Sequence, residues 1–151
     1  MTDVSGASGR MDGEAHVFPL RVYYEDTDAA GVVYYANYLK FAERARTEWM
    51  RLLGVAHGEL QRRTGAVWAV RRCAIDYLRP ARLDDAIEVR TRLRAVGGAS
   101  AEIEQVVRRG ETELARLDIR LAFITPAGRP VRLPGALRAK MQSFVQPQSR
   151  P

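Results

Sequence analysis

Residues 35–54, YANYLKFAERARTEWMRLLG, decide the reading of the fold. Tyr38, Phe41, Ala42, Ala45, Trp49, Leu52 and Leu53 recur three or four residues apart, and Lys40, Glu43, Arg44, Arg46, Thr47, Glu48 and Arg51 fill the gaps. A helix turns once in about 3.6 residues, so this spacing gathers the apolar side chains into one stripe and leaves the charges to water. The pattern predicts an amphipathic helix of about five turns from about Tyr35, with Gly54 as its C-terminal cap.

On either side of this segment the period changes to two. Downstream, residues 66–79 (AVWAVRRCAIDYLR), 85–96, 100–109 and 113–125 read as four successive strands. In the second of them Ile87, Val89, Thr91 and Leu93 alternate with Glu88, Arg90, Arg92 and Arg94, the mark of a half-buried strand. Pro80, Gly97-Gly98 and Pro126-Ala127-Gly128 supply the breaks. Upstream, residues 18–25 (FPLRVYYE) read as a first strand, and shorter helices are expected over 57–63 and 135–143. Strands joined by short turns run antiparallel. The order therefore predicts an α+β fold in which an antiparallel sheet of about five strands packs its apolar face on the long helix.

A chain of 151 residues is enough for a single core. Residues 1–16 are rich in Gly, Ser and Asp and read as a disordered tail, 144–151 as a flexible C-terminus, and 17–143 as one domain. The lone cysteine, Cys73, rules out an internal disulfide and a four-cysteine zinc site, and is expected to be a small buried hydrophobe. The two histidines are His16, in the tail, and His57, expected at the surface, so a serine or cysteine triad has little to draw on. No apolar run approaches the roughly 18 residues of a membrane span, and the N-terminus has no apolar core like a secretory signal. A cytoplasmic protein without metal or redox cofactor is expected. The net charge is +6, and all but Lys40 and Lys140 of the 24 basic residues are arginine. Codon bias accounts for much of that excess, but its sign suits an anionic partner: nucleic acid, anionic lipid or a phosphorylated cofactor.

The chemistry concentrates in residues 23–46, YYEDTDAAGVVYYANYLKFAERAR. A loop carrying Asp26 and Asp28 runs through Gly31, where the backbone can turn tightly, into the helix start. The first turn of a helix has unpaired N–H groups and a positive dipole end, which hold anions and developing oxyanions. A carboxylate beside such donors suits hydrolysis of an activated acyl group, acting as general base or as nucleophile.

VYYEDTDAAGVVYYANYLKFAERART (22–47) resembles the signature of the Tol–Pal-associated acyl-CoA thioesterases, within the 4-hydroxybenzoyl-CoA thioesterase-like family, and RRCAIDYLRPARLDD (71–85) resembles later strands of that family. The resemblance covers about 18–143. It implies the hotdog fold, a long central helix wrapped by an antiparallel sheet, with dimers or tetramers that build the active site at the subunit interface. It implies hydrolysis of acyl-CoA to a free acid and coenzyme A, the coenzyme being part of the substrate. It carries the catalytic role to Asp28 and the oxyanion donor to the backbone amide of Tyr35, where many relatives have histidine. Asp26 is then structural, and Glu43 is expected to pair with Arg46 at (i, i+3). Trp68, Ala69 and Val70, with Tyr34, would line the acyl pocket. Coenzyme A phosphates would meet arginines, with Arg72, Arg90, Arg92, Arg94 and Arg108 as unranked choices. Two other functions fit less well: a non-catalytic module binding acyl thioesters or acyl carrier protein, and a basic nucleic-acid binder, for which no motif is present.

If arginines hold the coenzyme A phosphates, KM for acyl-CoA rises with salt while kcat changes little, because that contact is uniform binding. A pantetheine-truncated substrate loses the salt effect; a KM that stays flat removes the phosphate role.

Overall fold

The computed structural model describes residues 5–145. Its elements are β1 (Arg10–Asp12), β2 (Ala15–Arg21), α1 (Asn37–Leu52), α2 (His57–Thr64), β3 (Val67–Tyr77), β4 (Ala86–Val96), β5 (Ser100–Arg109), β6 (Thr112–Ile124) and α3 (Gly135–Gln142), with 3₁₀ turns at Ser5–Ser8 and Tyr24–Asp26. The strands form one antiparallel sheet in the order β1-β2-β4-β5-β6-β3. β3 therefore lies at one edge, although it follows α2 directly in the chain.

The helix stripe packs on the sheet as its spacing requires. Tyr38, Phe41, Ala42, Ala45 and Trp49 are buried against Ile87, Val89 and Leu93 of β4, Ile103 and Val107 of β5, and Leu117, Ile119 and Phe123 of β6. Each fully buried side chain of this size contributes about 1.5–3 kcal/mol relative to an exposed one. The last turn differs from expectation: Met50 is buried and Leu52 is exposed. Gly54 takes a left-handed conformation just beyond the helix, as expected of a terminating glycine.

The outer face of the sheet is charged. Arg90 pairs with Asp12 at 2.7 Å, Arg120 with Glu102 at 2.9 Å, Arg108 with Glu111 at 3.1 Å, and Arg94 with Glu104. Exposed pairs of this kind add little stability, typically about 0–1 kcal/mol each.

The expected tail is largely structured. β1 and β2 form a hairpin through Asp12-Gly13-Glu14, and His16 is fully buried. Its Nε2 lies 2.7 Å from the Ser8 carbonyl, and the Ser8 hydroxyl donates to Glu48 of α1 at 2.8 Å. Gly9, at φ +75°, lets the strap pass so closely that a Cβ there would lie 2.2 Å from the Val17 carbonyl oxygen. The segment folds because β2 needs a partner along its outer edge, and this hairpin supplies one. At the other end Phe144 stacks edge-on against Trp49, 6.3 Å between ring centres, so the ordered chain runs slightly past 143. Residues 1–4 and 146–151 of the expected tails lie outside the described residues.

Burial lowers the affinity of His16 for a proton, outweighing the Ser8 carbonyl and Glu48, which favour the charged ring. Its Nδ1 is buried without a hydrogen-bond partner, so a second N–H would meet no acceptor. Folding therefore favours neutral His16. The associated stability is complete above the unfolded histidine pKa of about 6.5 and is lost as pH falls below it. Denaturation between pH 7.5 and 5 should show this loss, and His16→Gln should make it shallower. Equal pH slopes in the two proteins would refute the assignment.

Candidate active site

The loop between β2 and α1 is a compact hairpin. Thr27 bridges Val33, the Asp28 N–H donates to the Val32 carbonyl at 2.9 Å, and the Gly31 N–H returns to the Asp28 carbonyl at 3.0 Å. Gly31 has φ +76°, which a side chain would oppose. The Asp28 carboxylate accepts the Ala30 N–H at 2.9 Å and is otherwise exposed to solvent. It is fixed by one turn bond and free to meet water or substrate on its other oxygen.

Asp26 has a different environment. It is buried, and its Oδ2 accepts the Tyr23 N–H at 2.8 Å. Its backbone carbonyl accepts two donors, the Tyr34 N–H at 2.9 Å and Asn37 Nδ2 at 2.8 Å. Asp26 thus ties both arms of the loop to the first residue of α1. Asn37, a residue type common at helix starts, supplies a bond the sequence reading did not use.

α1 begins two residues later than expected, for a specific reason. The Asn37 N–H closes a tight turn to the Tyr34 carbonyl at 2.8 Å, and the Tyr35 carbonyl leaves the helical pattern to accept the Tyr77 hydroxyl of β3 at 3.0 Å. The Tyr35 N–H bonds to no protein acceptor among the described residues. An unengaged amide next to a helix start, one residue past the Asp26 clamp, is a donor available to a carbonyl oxygen.

A second loop, 78–85, supports the first. The Val33 N–H donates to the Ala81 carbonyl at 2.8 Å, Val32 bridges Arg82, and the Ala81 N–H donates to the Tyr38 hydroxyl at 3.0 Å. Asp85 fixes this loop by accepting the Arg82 N–H at 2.8 Å and Arg109 Nη1 at 2.7 Å. Burial alone would raise the Asp85 pKa, but the Arg82 amide and the Arg109 guanidinium outweigh it and hold the carboxyl below its ordinary value. Arg82 is the basic residue that the backbone places beside the Asp28 loop. Its signal was the LRPARLDD stretch, not the strand arginines. Of those, Arg90, Arg94 and Arg108 already have carboxylate partners.

The expected pocket residues divide. Tyr34 lies at the helix start, its ring 4.8 Å from that of Tyr35. Trp68, Ala69 and Val70 lie at the opposite end of β3 from Tyr77. Nine residues of strand at about 3.3 Å each put Trp68 roughly 30 Å from Tyr77, and hence far from the Tyr35 carbonyl that Tyr77 contacts in the same chain. Strand alternation also separates Ala69, opposite Ala122, from Trp68 and Val70 on the helix-side face, where Trp68 packs on Phe123 at 5.1 Å. Two expectations are corrected. Cys73 is exposed, because α1 covers the sheet only as far as its inner strands. Arg46 forms no ion pair with Glu43; its Nη1 donates to the buried Gln105 at 2.9 Å, whose amide is held by the Ala42 carbonyl and the Thr91 hydroxyl, each at 2.9 Å.

Among the described residues no cluster of three His, Cys, Asp or Glu side chains could hold a metal, and no helix is long and apolar enough to cross a membrane.

One long helix cradled by an antiparallel sheet is the hotdog arrangement, and comparison with known proteins agrees. The thioesterase-like superfamily model matches residues 22–141. The acyl-CoA thioesterase YbgC of Haemophilus influenzae is 42% identical over 123 residues, covering 81% of this chain and 90% of that one. The acyl-CoA thioester hydrolase YbgC of Escherichia coli is 38% identical over 127 residues, covering 83% and 94%. The crystal structure of a "probable thioesterase" from Bartonella henselae superimposes with a TM-score of 0.76 at 37% identity, covering 80% of this chain and 99% of that one. The chain belongs to the thioesterase-like superfamily and has its hotdog fold.

Proposed function

We propose that this protein hydrolyses acyl-CoA to a free carboxylic acid and coenzyme A, with Asp28 as the reacting carboxylate and the Tyr35 amide as the oxyanion donor. The observation that carries this reading is the pairing of an exposed carboxylate with an unengaged helix-start amide on one clamped loop. Membership of the superfamily and the acyl-CoA thioesterases among its relatives support the substrate class.

Two routes use the same groups. As general base, Asp28 takes a proton from water while the water oxygen attacks the thioester carbon. The carbonyl oxygen becomes an oxyanion held by the Tyr35 N–H, and its collapse expels the coenzyme A thiolate, which is then protonated. As nucleophile, Asp28 attacks the same carbon, collapse of the tetrahedral adduct breaks the C–S bond and releases the thiolate to leave a mixed anhydride, and water hydrolyses that anhydride to the free acid and the Asp28 carboxylate. Both routes need no metal or redox partner, and coenzyme A enters as substrate.

The position of Trp68 and Val70 supports a shared site. The outer edge of β3 is unpaired in the sheet, and Val70 and Tyr77 of that strand are exposed. Pairing that edge with a second copy would remove it from solvent. Antiparallel pairing about Arg72, the middle of the strand, sets the partner's Val67–Trp68 end opposite Tyr77, and so beside Asp28 and Tyr35. A homodimer then completes the acyl pocket, and a tetramer is compatible with it. The reading carries a cytoplasmic setting, where coenzyme A thioesters are used.

A thiol-detecting assay over acyl-CoAs of varied length tests the activity. Asp28→Asn should lower kcat about 100-fold or more, and wild-type turnover in that variant sinks the assignment. Sedimentation at micromolar concentration should show a dimer or larger; a fully active monomer contradicts the shared pocket.

A further inference from the structure

Tyr77 makes a contact that the catalytic reading leaves unexplained. It is the last residue of β3, yet its hydroxyl reaches 42 positions back along the chain to donate to the Tyr35 carbonyl at 3.0 Å. Its ring is held edge-on between two others, 6.1 Å from Tyr35 and 5.5 Å from Tyr38. Tyr38 is buried in the core and its hydroxyl takes the Ala81 N–H, so the cluster is anchored to both supporting loops. The Tyr35 carbonyl needs this partner. The first helical bonds skip it: the Asn37 N–H goes to Tyr34 and the Leu39 N–H to Ala36. Without Tyr77 that carbonyl would have only water.

Peptide units are planar, so holding the Tyr35 carbonyl fixes the plane of the Tyr35–Ala36 unit and restricts the rotation of Tyr35 about its own backbone bonds. The preceding unit, which carries the Tyr35 N–H, is already held on its other side by the Tyr34 N–H bond to Asp26 and the Asn37 bond to the Tyr34 carbonyl. The residue bearing the donor is therefore fixed from both sides, and the second side depends on one phenol. Stabilisation of an oxyanion requires a donor already aimed before charge develops, and a loose donor gives up part of that effect.

We propose that Tyr77 is a positioning residue for thioester hydrolysis, acting through the Tyr35 carbonyl to aim the Tyr35 amide at the developing oxyanion. This rests on the function proposed above and deepens it. The role needs a neutral phenol that donates. Partial desolvation of the hydroxyl, followed by the neighbouring Tyr35, Cys73 and Tyr38, pushes Tyr77 above the ordinary tyrosine value, so it stays protonated at neutral pH.

Tyr77→Phe removes the donor and keeps the ring, the strand residue and its backbone bonds. Steady-state kinetics should give a kcat about 10-fold lower with KM within about twofold of wild type, the pattern of an interaction that matters only in the transition state. Affinity for a non-hydrolysable thioether analogue of acyl-CoA, which develops no oxyanion, should be unchanged. Melting temperature and sedimentation should match wild type. An unchanged kcat overturns the proposal. So does a loss confined to KM or to analogue binding, which would make Tyr77 a substrate contact, and so does a loss of kcat that tracks dissociation into monomers. Asp28→Asn is measured alongside. If it retains activity, the reading of the site fails; if it is inactive while Tyr77→Phe turns over normally, the site stands and the positioning role falls. Should Tyr77→Phe fold poorly, 3-fluorotyrosine at position 77 keeps the shape but makes the phenol more acidic, so as pH rises the donor to the Tyr35 carbonyl is lost, and kcat should fall, at a lower pH than in wild type; a kcat–pH profile identical to wild type overturns the proposal as well.

Discussion

The backbone carbonyl of Asp26 is the junction on which the site depends. It accepts the Tyr34 N–H and Asn37 Nδ2, while the carboxylate of the same residue accepts the Tyr23 N–H. One residue thus closes the loop that carries Asp28, joins it to the start of α1, and leaves the Tyr35 amide outside the helical bonding. Burial of Asp26 shields these bonds from competing water, and an unpaired polar group there would cost about 1–3 kcal/mol. The two aspartates of the DTD sequence therefore divide the work: the buried one shapes the loop, and the exposed one is available for chemistry.

The second constraint is the limited reach of α1. Its apolar stripe covers the inner strands and stops short of β3, so the helix-side face of that edge strand remains open at Val70 and Tyr77 and exposes Cys73. The homodimer proposed above would cover this open face, which also lets Tyr77 reach the helix start. The polar row beneath the helix serves the same geometry. Thr91, Gln105 and Arg46 are bonded in sequence across β4, β5 and α1, which keeps the middle of the helix in register with the sheet.

Most of the frame was legible because it obeys simple periodicities. The three- and four-residue spacing from Tyr38 to Trp49 located α1, and the alternation in 85–96 located β4 and its charged outer face. The N-terminal hairpin was missed because its apolar content is small, although Asp12-Gly13 between two short extended runs is a hairpin signal. Burial of His16 depended on the Ser8 carbonyl and the closeness allowed by Gly9, neither of which has a periodic signature. At the site, Asp28 and the Tyr35 amide were singled out by the resemblance carried by residues 22–47, and their roles are those proposed above. The bonds of Tyr77 to Tyr35 and of Tyr38 to Ala81 join positions about forty residues apart and lie beyond local spacing. Trp68, Ala69 and Val70 were grouped by the resemblance, which marks a stretch of strand, whereas a strand sends consecutive side chains to opposite faces.

The most direct test of the account is a crystal structure with a bound non-hydrolysable acyl-CoA analogue that keeps the carbonyl, such as one with methylene in place of the thioester sulfur. The account predicts the carbonyl oxygen within about 3 Å of the Tyr35 amide nitrogen, with the Asp28 carboxylate over the carbonyl carbon directly or through one water. An analogue bound with its carbonyl away from the start of α1, and with Asp28 still facing only solvent, would contradict it.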